Sequence, residues 1–192
     1  MALIETGNIE EKFVESSFIH QSRLQDDFVV CKSPGKLLLL IEKLNEIKNI
    51  HFVSNGDWSM HDLVIELIKK YGPADLYFTT YALREFAVRQ IINAIELKQI
   101  KSVTLILDYK AKSRTPEVYQ LASMNFSKIF LASIHAKVAV LKCANHFISI
   151  IGSANWTNNP RIEAGVISME KPTMDFHIDW INKTIEHAEI FE

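Results

Sequence analysis

The chain has 192 residues, 48% of them apolar and 23% charged, with a formal net charge of −2. That length suits one domain with an appended arm, and that composition excludes global disorder. No stretch approaches the roughly 18 apolar residues of a membrane-spanning helix, and the start, Met-Ala-Leu-Ile-Glu-Thr, lacks the basic flank of a secretory leader. Two cysteines, Cys31 and Cys143, are too few for a disulfide scaffold. The expectation is a soluble cytoplasmic protein with no stable membrane association. Charge is unevenly spread. Residues 1–57 have nine acids against six bases, 58–162 seven against thirteen, and 163–192 seven against two. A basic middle between acidic ends points to an anion-facing centre or to ordinary surface variation; charge alone does not separate these.

Residues 1–32 show little pattern beyond a strand expected at Phe28–Cys31. Ser33-Pro34 opens a helix, Ser as cap and Pro in the first turn, reaching about Ile47 on Leu37, Leu40, Ile41 and Leu44. A short strand follows at Ile50–Ser54, closed by Asn55-Gly56-Asp57. Ser59-x-x-Asp62 is a capping-box pattern for a helix over about Met60–Tyr71, stopped by Gly72-Pro73. Asp75–Tyr81 is expected as a strand. Arg84–Gln99 is expected as a helix with Phe86, Ile91, Ile95 and Leu97 on its apolar side. Val103–Leu107 reads as a strand buried on both faces. The charged segment from Asp108 to Arg114 reads as a loop, and Thr115-Pro116 starts a short helix to about Met124. Four closely spaced strands are expected at Lys128–Ser133, Ala136–Leu141, Phe147–Ile151 and Ile162–Met169, then a helix from Pro172 to about His187. The alternation argues for an α/β fold, a mixed β-sheet sandwiched by helices.

Several familiar signals are absent. Gly35-Lys36 does not complete a phosphate-binding loop, there is no G-x-S-x-G, and the histidines are scattered without zinc spacing. One compound pattern remains. His135 and Lys137 stand two apart at a strand start, so they share a face. Gly152-Ser153-Ala154-Asn155 follows the next strand, and Glu163 opens the one after. If those strands form a hairpin, His135, Lys137, Ser153 and Asn155 converge. The set suits phosphodiester chemistry. An imidazole can attack phosphorus, while an ammonium and an amide can hold the nonbridging oxygens. A carboxylate can fix the imidazole tautomer. None of this requires a metal or other cofactor. Each residue alone has a plainer reading: a strand-end histidine, a solvated lysine, a common turn, a surface acid.

Together these residues resemble the phospholipase D superfamily, whose signature is H-x-K, four residues, Asp, and then G-S-x-N. The resemblance covers about two thirds of the chain. It implies a phospholipase D-like half-domain over 58–192, with 1–57 as an α/β N-terminal extension. The motif's Asp position is occupied by Lys142. The family builds one active site from two such motifs and this sequence has one, which implies a homodimer. It also implies a metal-independent phosphodiesterase, and first an endonuclease acting on DNA or RNA through a covalent phosphohistidine. A phospholipid substrate and a catalytically decayed binding dimer remain open as alternatives. The expected site is then His135, Lys137, Asn155 and Glu163 for catalysis. Ser153, Lys110, Lys112 and Arg114 join Lys137 and Asn155 in phosphate binding. Trp156 is expected to pack near the site, with base stacking as the less favoured role.

Overall fold

The computed structural model describes residues 26–31, 34–44, 47–56, 58–158 and 160–188. The expected cap at Ser33 lies outside them. The elements in chain order are β1 (Asp26–Cys31), α1 (Pro34–Lys43), β2 (Asn49–Asn55), α2 (Met60–Tyr71), β3 (Ala74–Thr80), α3 (Glu85–Glu96) and β4 (Ile100–Asp108). Then come α4 (Tyr109–Arg114), α5 (Pro116–Asn125), β5 (Lys128–Ala132), β6 (Lys137–Lys142), β7 (Phe147–Gly152), β8 (Ile162–Ser168) and α6 (Lys171–Glu186). The helix expected to reach Ile47 ends at Lys43. The α2 bounds agree with the capping reading, and the Ser59 N–H donates to Asp62 Oδ2 at 2.8 Å.

All eight strands join one mixed sheet in the order β1-β2-β8-β7-β6-β3-β4-β5. β1 is parallel to β2, and β3, β4 and β5 are mutually parallel; the pairings in between are antiparallel. This polarity decides where chemistry can gather. The C-terminal ends of β2, β3, β4 and β7 lie along the same sheet edge as the N-terminal starts of β6 and β8. Crevices beyond such strand ends are where open α/β sheets hold ligands.

Helices α1, α2, α3 and α5 cover one face, packed on Leu76, Phe78, Leu105, Leu107, Leu141 and Ile150. The other face carries α6, whose Met174 and Ile181 meet Ile106, Val138 and Val140. β4 is buried on both faces from Val103 onward, which accounts for its near-continuous apolar run. Two expectations change. In α3 the buried side is Ala87, Val88, Ile91 and Ala94, while Phe86 and Leu97 are exposed. Small residues let the helix lie close to its neighbours, so the bulky ones point away. The segment after Asp108 is a short helix, not a loop.

Candidate active site

The site assembles from the strand ends in sequence order. At the end of β3, Thr79 Oγ1 donates to the Ala136 carbonyl at 3.0 Å and accepts from the Val138 N–H. It thereby fixes both sides of Lys137. His135 sits just before β6, solvent-exposed, and Lys137 opens the strand with only 6% of its surface exposed. Lys137 Nζ donates to the His135 carbonyl at 2.7 Å. It lies 2.9 Å from Nδ1 and 3.1 Å from Nε2 of the same residue. Burial pushes the Lys137 pKa below the usual lysine value, and the charge of Glu163 partly offsets this.

β6 and β7 are hairpin neighbours, with Lys137 opposite Gly152. The Ser153–Asn155 turn therefore emerges beside Lys137. Ser153 Oγ donates to Glu163 Oε2 and accepts from the Ala164 N–H at 3.1 Å, while its backbone N–H donates to the Ala164 carbonyl. These bonds pin the turn to β8. Gly152 faces Gly165 there, and a Cβ at Gly165 would come within 2.6 Å of the Ile151 carbonyl oxygen and of the Phe52 ring. Thr80 Oγ1 lies 3.2 Å from Asn155 Oδ1, which leaves the amide donors of Asn155 for another acceptor. Trp156 is fully buried, its ring centroid 4.1 Å from that of Phe78. It packs, and base stacking by this residue is excluded by burial.

Asp108 also holds the site, although its type alone did not mark it. Asp108, 4% exposed, ends β4. Its Oδ1 accepts from the Lys110 N–H at 3.1 Å and its Oδ2 from the Ile134 N–H at 3.2 Å. It thus caps α4 and anchors the residue preceding His135. The Tyr81 ring stands 5.1 Å from the His135 ring, and the Arg114 guanidinium lies 5.0 Å from the Tyr81 ring centre on a bond to its hydroxyl. Arg114 and the imidazole thus both stand against Tyr81. Lys110 stands over the Tyr109 ring, and Lys112 over Tyr119 of α5.

Lys142 lies at the opposite end of β6, about 17 Å from the strand start at the usual rise. The register sets it beside Asp75 on the far edge of the sheet. The substitution in the motif therefore falls outside the cluster around His135. Among the described residues no three His, Cys, Asp or Glu side chains are grouped to hold a metal ion, and no helix is long and apolar enough to cross a membrane.

No known family model matches the sequence, and no curated protein matches it. Solved structures do. NucT from Helicobacter pylori matches with a TM-score of 0.59 at 19% identity, over 75% of this chain and 99% of its own. Nuc from Salmonella typhimurium, a phospholipase D family member, matches with 0.58 at 13% identity, over 76% and 99%. The chain has the phospholipase D-like fold. Polyphosphate kinase from Porphyromonas gingivalis also matches, with a TM-score of 0.57 at 12% identity over 82% of this chain and 28% of that one. β3, β6, β7 and β8 bring His135, Lys137, Ser153, Asn155 and Glu163 to one sheet edge.

Proposed function

We propose that this protein is a phosphodiesterase that cleaves nucleic acid, as an endonuclease, at a site shared by two copies of the chain. The reading is carried by one observation: the Lys137 ammonium stands 2.9 Å from a His135 ring nitrogen, beside the turn that bears Asn155. The neighbour Nuc is a phospholipase D family member, and a shared fold supports phosphodiester chemistry.

In the proposed reaction, a neutral ring nitrogen of His135 attacks phosphorus. The N–P bond forms as the P–O bond to the leaving oxygen breaks. The imidazolium of His135 from a second copy protonates that oxygen. The same second imidazole then takes a proton from water, whose oxygen attacks phosphorus and breaks the N–P bond. The products are a phosphomonoester and an alcohol. Lys137 and Asn155 hold the nonbridging oxygens, where charge builds up. Ser153 donates its hydroxyl hydrogen bond to Glu163, so its main part is to hold the Asn155 turn against β8. Glu163 also supplies the negative charge that supports a protonated Lys137. Arg114 and the lysines of α4 offer cationic contacts to the rest of the backbone.

Among the described residues of a single copy, no second imidazole stands against His135. A two-fold dimer supplies one, and the polarity of the substrate decides which attacks. Because Lys142 lies at the far end of β6, the motif departure leaves this chemistry intact. The test is hydrolysis of bis(p-nitrophenyl) phosphate and of a single-stranded oligonucleotide in excess EDTA. The reading expects turnover by the wild type and loss of at least about a thousandfold in His135→Asn, since the covalent route is then removed. Cleavage that requires added metal, or that survives in His135→Asn, would overturn it.

A further inference from the structure

A cavity of about 350 Å³ opens beside Tyr81, lined also by Arg84, Arg114, Thr115, Asn158 and Arg161. No Asp or Glu lines it. Among the described residues no carboxylate forms an ion pair with Arg84 or Arg114. The Arg84 and Arg114 guanidiniums on one small basin repel each other, and an anion between them relieves that repulsion. The basin is built rather than accidental. Leu83 bridges to Trp156, and the Arg84 N–H donates to the Trp156 carbonyl at 3.0 Å. The chain after β3 is thereby locked to the chain after β7. Arg84 and Thr115 also stand at the first turns of α3 and α5, whose partial positive charges add to the field without making a site by themselves.

The cavity adjoins the candidate catalytic residues. Tyr81 lines it and also stands 5.1 Å from the His135 ring, with Arg114 on the same phenol. One side chain therefore separates the attacking group from the arginine basin. We propose that the basin is a second phosphate subsite, which takes the phosphate next along the chain from the one at His135. The inference rests on the phosphodiesterase reading and narrows it to polynucleotides. A polynucleotide presents a phosphate at every residue, so it fills both subsites. A phospholipid with one phosphodiester fills only the first. Guanidinium forks suit a phosphate held by paired bonds, and the volume lies at the small end of ligand pockets.

The experiment compares kcat/KM for a single-stranded oligonucleotide with that for bis(p-nitrophenyl) phosphate, in the wild type, Arg84→Gln, Arg161→Gln and the double variant. Both arginines are exposed, and thermal melting checks that the variants fold. The ratio of the two substrates should fall by about tenfold for each arginine removed, as charged hydrogen bonds to phosphate are lost. A ratio that moves less than about twofold in the double variant overturns the subsite. Failure of the phosphodiesterase reading would look different: the wild type would leave bis(p-nitrophenyl) phosphate intact. In that event, binding of a labelled oligonucleotide to the His135→Ala protein still decides the subsite. Arg84→Gln plus Arg161→Gln should weaken binding by at least about tenfold and flatten its salt dependence by one to two phosphates' worth. Unchanged affinity and slope would overturn it.

Discussion

Asp108→Ala tests how the fold aims the proposed nucleophile. The carboxylate is 4% exposed and serves two backbone N–H groups. One belongs to Lys110 in the first turn of α4, and loss of such a cap costs about 1 kcal/mol. The other belongs to Ile134, whose side chain is 9% exposed, and a buried orphaned donor costs about 1–3 kcal/mol. Together the substitution should destabilise the protein by about 2–4 kcal/mol. Asp108→Asn keeps one acceptor oxygen, so it should cost about half as much. Urea unfolding measures both. The second readout is turnover of bis(p-nitrophenyl) phosphate at a temperature where each variant is folded. Ile134 directly precedes His135, so releasing it should misplace the imidazole and lower kcat by at least about tenfold. A stability within about 0.5 kcal/mol of the parent would refute the anchoring role. Full turnover in a folded, destabilised Asp108→Ala would refute the link to His135.

Three further outcomes follow from the same geometry. Burial lowers the Lys137 pKa and the proposed mechanism uses the ammonium, so the pH–rate profile should fall on the alkaline side below the ordinary lysine value of 10.5. Lys137→Arg should lower the plateau but move that alkaline limb upward; an unmoved limb assigns it to another group. Unfolding and refolding mixtures of wild type and His135→Ala should leave activity proportional to the square of the wild-type fraction, about one quarter at equal mixing, if both imidazoles are needed at one site. A linear dependence would mean that each copy works alone. His61 is fully buried beside Ser59, and burial lowers its pKa from 6.5. The folded state thus favours the neutral ring. That stability is present above pH 6.5 and is lost as pH falls toward the lowered value. The urea midpoint should drop over that range in the wild type and change less in His61→Gln; equal slopes would refute the assignment.

Much of the sheet is legible because burial on both faces leaves uninterrupted apolar runs, as in β4 and β6. The His135–Lys137 and Ser153–Asn155 pairs are legible because strand geometry repeats every two residues. Other features depend on contacts that no local pattern encodes. Phe86 and Leu97 look like core residues by hydrophobicity, yet Ala87 and Ala94 allow the closer approach and take the buried side. Tyr109–Arg114 carries no apolar stripe. It coils because Asp108 caps it and Pro116 starts the next helix directly after it. Asp108 itself is an acid at a strand end, and only the distant Ile134 N–H reveals its second duty. Arg84 and Arg161 are far apart in sequence and meet only through the Leu83–Trp156 bridge and the cavity beside it. Lys142 looked like damage to the motif, and the length of β6 removes it from the site.

The most direct test of the account is chemical trapping on the imidazole. Wild-type protein turning over a 5′-labelled oligonucleotide should be quenched in alkali, where an N–P bond survives, and digested for mass spectrometry. The account predicts a nucleotidyl or phosphoryl adduct on the peptide containing His135, at the residue itself, disappearing as substrate is exhausted. Steady cleavage with no adduct there, or with one on another residue, would contradict it.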